Sequence, residues 1–156
     1  MFLLRITEAL KKKKIDYALV GGYALSLHGA VRGTIDVDIV IRSSKKDYVA
    51  LEKALLAFGL APKLPVDAQQ IFDFREEYIK NKNLVAWSFY NPKNPIELLD
   101  IIITHDLQKM KTEKIHFQNH EVKVASISEL ISMKKKSGRT QDKEDIKALE
   151  SIRRKK

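Results

Sequence analysis

Leu3, Leu4, Ile6 and Leu10 recur at the spacing of one helical face, and Lys11 to Lys14 close the run. The pattern predicts an amphipathic helix over residues 2 to 14. Tyr17 to Val20 reads as a short apolar strand cut by Gly21-Gly22, and Ala24 to His28 as a short helix stopped at Gly29. Ile35 to Ile41 alternates strictly, which predicts a strand. Ser43-Ser44 then caps a helix over Lys45 to Phe58, ended by Gly59. Further along, "APKLPV" reads as a loop, Asp67 to Ile79 as helix, and Leu84 to Tyr90 as a strand followed by the turn "NPKNP". Ile96 to Ile103 is a second buried strand, and Ile115 to Val124 a hairpin about Asn119-His120. Helices over Ser128 to Lys136 and Gln141 to Arg153, separated at Gly138, finish the chain. The mixture predicts an α+β domain, a small mixed sheet flanked by helices, over residues 1–156 with a helical C-terminal part from about 126.

Two acids interrupt this apolar pattern. In "IDVDIVI", Ile35, Val37, Ile39 and Ile41 face one way, while Asp36 and Asp38 face the other with α-carbons about 6.6 Å apart. Like charges this close repel, and partial burial disfavours both charged forms. A divalent cation relieves both problems, and oxygen ligands suit magnesium. Asp100 stands in the same situation in "PIELLDIIIT", with Leu98 and Ile102 on its face. If the two strands are neighbours, opposed β-carbons lie about 5 Å apart and three carboxylates share one face. Two metal ions there would activate an attacking hydroxyl and stabilise a leaving phosphate oxygen. The plainer reading is an exposed strand face with solvated acids. Glu97 falls on the opposite face by parity and reads as a surface or salt-bridge residue.

Gly21-Gly22 sits between a strand and a helix. Glycine lets the backbone approach a ligand, and helix-start N–H groups bind phosphate oxygens. An ordinary turn is the more frequent explanation of a Gly-Gly pair alone; the order strand, Gly-Gly, helix, Asp-x-Asp strand is what favours a triphosphate. Arg32 and Thr34 precede the aspartates and join the nucleotide-binding candidates, Arg32 either touching phosphate or holding the acids and capping the site. His28 reads as packing at a helix end, and His105, His116 and His120 lack metal spacing, which argues against a zinc site.

Composition changes the picture in two ways. The 156 residues are 44% hydrophobic, enough for one sizeable core, and contain no cysteine, which excludes a disulfide framework and a thiol nucleophile. The net charge of +9 favours polyanions, and nucleic acid first among them. No apolar run reaches the roughly 18 residues of a bilayer span, and "MFLLRITEALKKKK" lacks the pattern of a secretory leader. The expectation is a cytoplasmic protein without a membrane partner.

The run "GGYALSLHGAVRGTIDVDIVI" resembles the N-terminal motif of the DNA polymerase β-like nucleotidyltransferase superfamily. It is most similar to small bacterial nucleotidyltransferases of the abortive-infection toxin type, with Gly-Gly-x-Ala, His-Gly and Arg-x-Thr-x-Asp-x-Asp in order. "ISELISMKKKSGRTQDKEDIKAL" resembles the C-terminal helices of that group, although Gln141 stands where a second lysine belongs. The likeness covers roughly residues 15–42, 96–103 and 122–149. It implies that Gly21 and Gly22 line the nucleotide phosphates, and that Asp36, Asp38 and Asp100 bind Mg2+. Asp100 would also help deprotonate the acceptor. Lys134, Arg139, Asp142 and Asp145 would lie near the nucleotide. In the wider superfamily a serine usually follows the first glycine; here Gly22 takes its place.

From the residues alone, the lysines of "MKKKSGR" suit a helix C-terminus, and Asp142 and Asp145, one turn apart, suit pairing with basic neighbours. The tail Arg153 to Lys156 reads as a nonspecific RNA contact or a disordered end.

The leading expectation is a magnesium-dependent nucleotidyltransferase moving a nucleoside monophosphate from an NTP to an acceptor hydroxyl. RNA, a tRNA 3′ end first, is the favoured acceptor, and the setting a toxin–antitoxin or phage-defence pair with a partner protein. A protein hydroxyl (AMPylation) is the alternative acceptor. A noncatalytic nucleotide- or partner-binding module of the same fold, or a plain basic RNA-binding domain, are the other classes. Residues 60–83 suggest no role beyond a lid or partner surface.

Overall fold

The computed structural model describes residues 1–155. Helix α1 (Phe2–Lys12) buries Leu3, Leu4, Ile6 and Leu10, the face its periodicity predicts. Strand β1 (Ala18–Val20) runs directly into α2 (Gly21–His28), so both glycines belong to the first turn of the helix rather than to a linker before it. Strand β2 (Val37–Val40) is shorter than the alternation predicts, and Asp36 lies just ahead of it. Helix α3 (Lys45–Phe58) starts where Ser44 accepts a hydrogen bond from Asp47 N. It ends at Gly59, whose φ of +108° lets Leu60 N reach Leu55 O at 3.0 Å.

The next stretch departs most from expectation. A two-residue strand, β3 (Ala61–Pro62), lies in the predicted loop. The single helix expected over Asp67 to Ile79 is two, α4 (Ala68–Asp73) and α5 (Arg75–Lys82). A capping box between Asp67 and Gln70 starts the first, and Phe74, at φ −111°, breaks the run. Strands β4 (Ala86–Asn91) and β5 (Asn94–Ile102) form a hairpin on Pro92-Lys93, with a register shift at Tyr90/Asn91. Strands β6 (Thr112–Phe117) and β7 (His120–Ala125) form the other expected hairpin. Its turn is Gln118-Asn119, one residue earlier than predicted. Both turn residues have positive φ, the backbone a two-residue hairpin loop demands.

Ser126 caps α6 (Ile127–Ser137), Gly138 ends it at φ +67°, and α7 (Thr140–Lys155) returns beside it. Arg153, Arg154 and Lys155 form the last turn of α7 rather than a disordered end; Lys156 lies outside the described residues.

The seven strands make one mixed sheet in the order β3-β4-β5-β2-β1-β7-β6. β2 runs parallel to β5 and β1 parallel to β7; the other pairs are antiparallel. One face, carrying Leu19, Val37, Ile39, Trp87, Phe89, Leu99 and Ile101, is fully buried. Tyr48 of α3 stacks on Trp87 there at 5.8 Å between ring centroids. On that side Arg5 of α1 binds Glu97 at 2.8 Å, the salt-bridge role that strand parity gives this acid. The opposite face carries the candidate aspartates, and α2, α6 and α7 pack together beside it. Among the described residues no helix is long and apolar enough to cross a membrane.

Candidate functional site

The site grows from one register. Asp38 of β2 pairs with Asp100 of β5 in the parallel ladder, so both side chains leave the same face side by side. Val20, the last residue of β1, pairs with Asp38 from the other side. The chain must therefore turn into α2 immediately above the aspartates. Gly21 makes that turn at φ +71°, and a β-carbon on it would stand 2.0 Å from Asp38 Oδ2. Only glycine allows the carboxylate to lie against the helix start. No side chain caps the first turn of α2, which leaves helix-start N–H groups beside the acids.

The electrostatics are unbalanced. Burial first, then the charge of Asp100, then that of Asp36, push the Asp38 carboxyl up to about 7, against a smaller pull from Lys134. Ser88 of β4, paired with Asp100 in the ladder, donates a 2.6 Å hydrogen bond to Asp100 Oδ1. The sequence gives no hint of this. A hairpin closed on Pro92-Lys93 without irregularity, with Asn91 opposite Asn94, would oppose Ser88 to Glu97. The register shift at Tyr90/Asn91 moves it onto Asp100.

Asp36 is half-buried just before the start of β2, close enough for its charge to act on Asp38. Among the described residues, no three Asp, Glu or His side chains close around one point as a metal cage would. The pair Asp38 and Asp100, with Asp36 as further negative charge, nevertheless fits magnesium. This ion keeps several waters and is held by one or two carboxylates plus substrate phosphates rather than by an all-protein cage.

The remaining candidates divide into two groups. Gly22 presses on the loop before β2: a β-carbon there would meet Thr34 Cβ and Oγ1, each at 2.7 Å. Thr34 Oγ1 donates to Asp36 O at 3.3 Å, and so helps shape the approach to the aspartates. Arg32, Lys134, Arg139 and Asp142 belong instead to a charged network. Lys134 Nζ lies 3.2 Å from Asp142 Oδ1 and 3.1 Å from Asp145 Oδ2. Arg32 Nε stands 3.3 Å from Asp145 Oδ1, so Arg32 ties its loop to α7 rather than gripping the strand acids. Arg139 donates to Asp142 from both its backbone N and its Nε, and Gln141 Nε2 donates to Asp145 Oδ1 at 3.1 Å. Asp142 and Asp145 are buried. Burial alone would raise the Asp142 carboxyl; hydrogen bonds from Arg139, Ser137 and Lys134 outweigh it and hold Asp142 well below the usual carboxylate range. Lys134 is thus the side chain whose charge joins the C-terminal helices to the strand acids.

His28 is buried with Nε2 2.8 Å from Ala125 O, the helix-end packing its position suggests.

Replacing Gly21 by Ala tests the cradle. The left-handed backbone costs an L-residue about 1–2 kcal/mol, and the contact with Asp38 adds to it. The variant is expected to melt several degrees lower, a shift that Asp38→Gly in the same chain reduces by removing the obstructing carboxylate.

No family model matches the sequence, and no curated protein matches it. Solved structures do. The chain is similar to the lincosamide antibiotic adenylyltransferase LnuA in its lincomycin-bound form (17% identity, TM-score 0.65), over 97% of this chain and 96% of that one. It is similar to ANT(2″)-Ia in complex with adenylyl-2″-tobramycin (13% identity, TM-score 0.63), over 97% and 90% of the two chains. A third likeness is to an antigenic nucleotidyltransferase-like protein from Paracoccidioides brasiliensis (20% identity, TM-score 0.57), over 97% of this chain and 72% of that one. These likenesses establish the fold: a mixed α+β fold shared with nucleotidyltransferases.

Proposed function

We propose that this protein is a magnesium-dependent nucleotidyltransferase, which moves a nucleoside monophosphate from an NTP to an acceptor hydroxyl. The observation that carries the reading is the in-register pair Asp38–Asp100 beneath the glycine start of α2. Two repelling carboxylates beside open helix-start amides form a place for a cation and a phosphate chain together.

In this reading the backbone at Gly21 and Gly22 holds the triphosphate. Asp36, Asp38 and Asp100 hold Mg2+, which when bound neutralises charge on the phosphates. The acceptor oxygen attacks the α-phosphorus; its bond to phosphorus forms as the α–β phosphoanhydride bond breaks, and pyrophosphate leaves. Asp100 takes the hydroxyl proton, oriented for it by Ser88. Positioning and charge stabilisation supply the rate. Arg32, Thr34, Lys134, Arg139 and Asp142 shape the nucleotide side of the site, chiefly by holding the loop before β2 and the C-terminal helices in place.

RNA, with a tRNA 3′ end first, is the proposed acceptor. The net charge of +9 supports it, as does the likeness of the "GGYALSLHGAVRGTIDVDIVI" run to abortive-infection nucleotidyltransferases. That likeness also supports a role in a cytoplasmic toxin–antitoxin or phage-defence pair, with a partner protein. A small-molecule hydroxyl is the second reading, favoured by the near end-to-end match to a lincosamide adenylyltransferase. Purified protein with each α-labelled NTP, magnesium, and either total tRNA, an aminoglycoside and lincosamide panel, or a bacterial protein extract decides among them. Label on tRNA that disappears with EDTA is the expected result. Label confined to the small molecules moves the acceptor to that class, and no label on any acceptor overturns the enzyme.

Ser88→Ala is expected to lower kcat about tenfold through loss of a hydrogen bond to a charged group, with KM for the NTP within about twofold because the Ser88 hydroxyl bonds to Asp100. Ser88→Thr, which keeps the hydroxyl, is expected to recover most of the rate in the same assay.

A further inference from the structure

A second feature lies on the α6–α7 hairpin. Ser128, Ile131, Ser132, Lys135 and Lys136 of α6 and Arg153 of α7 line a cleft of about 460 Å³. No carboxylate lines it. Elsewhere the basic side chains Lys45, Lys114, Lys123 and Lys134 are paired with acids. Among the described residues, Lys135, Lys136 and Arg153 have no such partner, and all three are exposed.

The spacing has a direction. Ser128, Ile131, Ser132, Lys135 and Lys136 follow one another at i, i+3, i+4, i+7 and i+8, so they form one continuous stripe along α6. From Ser128 to Lys136 that stripe is about 12 Å long. At about 3.4 Å of rise per nucleotide, it matches three or four nucleotides of one strand rather than one isolated anion. The hydroxyls of Ser128 and Ser132 add phosphate donors along the stripe, and Arg153 adds a third cation from α7. Lys134, on the neighbouring face of the same helix, turns inward to Asp142 and Asp145. The cleft and the charged network beside the aspartates therefore share one helix.

We infer that the α6–α7 cleft is a docking track for the phosphate backbone of the RNA acceptor. It holds the RNA by charge while the terminal hydroxyl reaches the aspartates. This rests on the nucleotidyl-transfer reading for its purpose, but binding is measurable without turnover.

The experiment measures Kd for a fluorescently labelled total tRNA fraction by anisotropy between 50 and 200 mM salt. Wild type is compared with Lys135→Ala/Lys136→Ala/Arg153→Ala and with a control triple at the C-terminal end of α1, Lys11→Ala/Lys13→Ala/Lys14→Ala. All six positions are exposed, and unfolding curves verify that the variants fold. The cleft triple is expected to raise Kd about tenfold or more and to lower the salt slope by about two to three, near one per phosphate contact. The control is expected to change Kd less than about twofold. Equal losses in the two triples, no loss in the cleft triple, or no RNA binding by wild type each overturn the track. Asp38→Asn separates this from the transferase reading. RNA bound through the cleft with no transfer by wild type overturns only the transferase. Transfer to RNA that the cleft triple leaves unchanged overturns only the track.

Discussion

Asp38→Asn and Asp100→Asn are each expected to reduce nucleotidyl transfer by about a thousandfold or more while raising the melting temperature. The two effects have one cause. The ladder forces the carboxylates onto adjacent positions of one face, and burial and mutual repulsion push Asp38 up to about 7. A protein selected only for stability would not keep that arrangement. Amide replacement removes one of the repelling charges with almost no change of shape. A gain of about 1 kcal/mol corresponds to about 2–4 °C in a domain of this size. The same replacement removes a ligand from a site whose chemistry is charge neutralisation and positioning. Scanning calorimetry without nucleotide, beside single-turnover kinetics with saturating NTP and magnesium, reads both. A variant that is more stable and inactive supports a metal-binding pair. If either variant is destabilised and active, the aspartates are structural and the site lies elsewhere. Asp36→Asn is expected to share the loss of rate with a smaller gain in stability, since Asp36 stands just before β2 and contributes less to the repulsion than Asp100 does.

What the sequence disclosed of this site follows from the range of each interaction. Asp36 and Asp38 betray themselves because alternation in a strand is local: two acids in an otherwise apolar run stand out at once. Asp100 is visible for the same reason, but its pairing with Asp38 rather than with any other strand depends on the parallel packing of β5 on β2, to which no local pattern speaks. Ser88 is invisible because its partner is decided by a hairpin irregularity. The helix expected over Asp67 to Ile79 splits at Phe74 in a stretch with no apolar stripe long enough to mark a single axis. The basic run of α6 reads as a helix end, yet three adjacent lysines have different surroundings: Lys134 is half-buried between two acids, whereas Lys135 and Lys136 face water. Helical rotation of 100° per residue separates them, and only the position of α7 shows which one turns inward.

That inward lysine carries the second large effect. Lys134→Met is expected to destabilise the protein by about 3 kcal/mol, because it leaves two buried carboxylates short of a cation. The figure sits at the low end for a broken buried pair, since Asp142 keeps Arg139 and Asp145 keeps Arg32. Methionine preserves the length and apolar stem of lysine, so the loss is electrostatic rather than a cavity. Adding Asp142→Asn and Asp145→Asn to Lys134→Met is expected to recover most of the loss, the mark of uncompensated charge; chemical unfolding with a constant m-value reads it. The pH dependence has a definite sign. In the wild type the Asp142 carboxyl is held below its unfolded value near 3.8, so its contribution is full above that pH and fades as the solution becomes more acidic. Lys134→Met is therefore expected to flatten the acid limb of the stability curve while lowering its neutral plateau. Because Arg32 reaches Asp145 from the loop before β2, loosening this network also loosens the approach to Asp36 and Asp38. Transfer by folded Lys134→Met is thus expected to fall at least tenfold, with NTP binding weakened, since Lys134 also supplies positive charge that acts on Asp38. An unaltered rate in a variant destabilised as expected would confine Lys134 to holding α6 against α7.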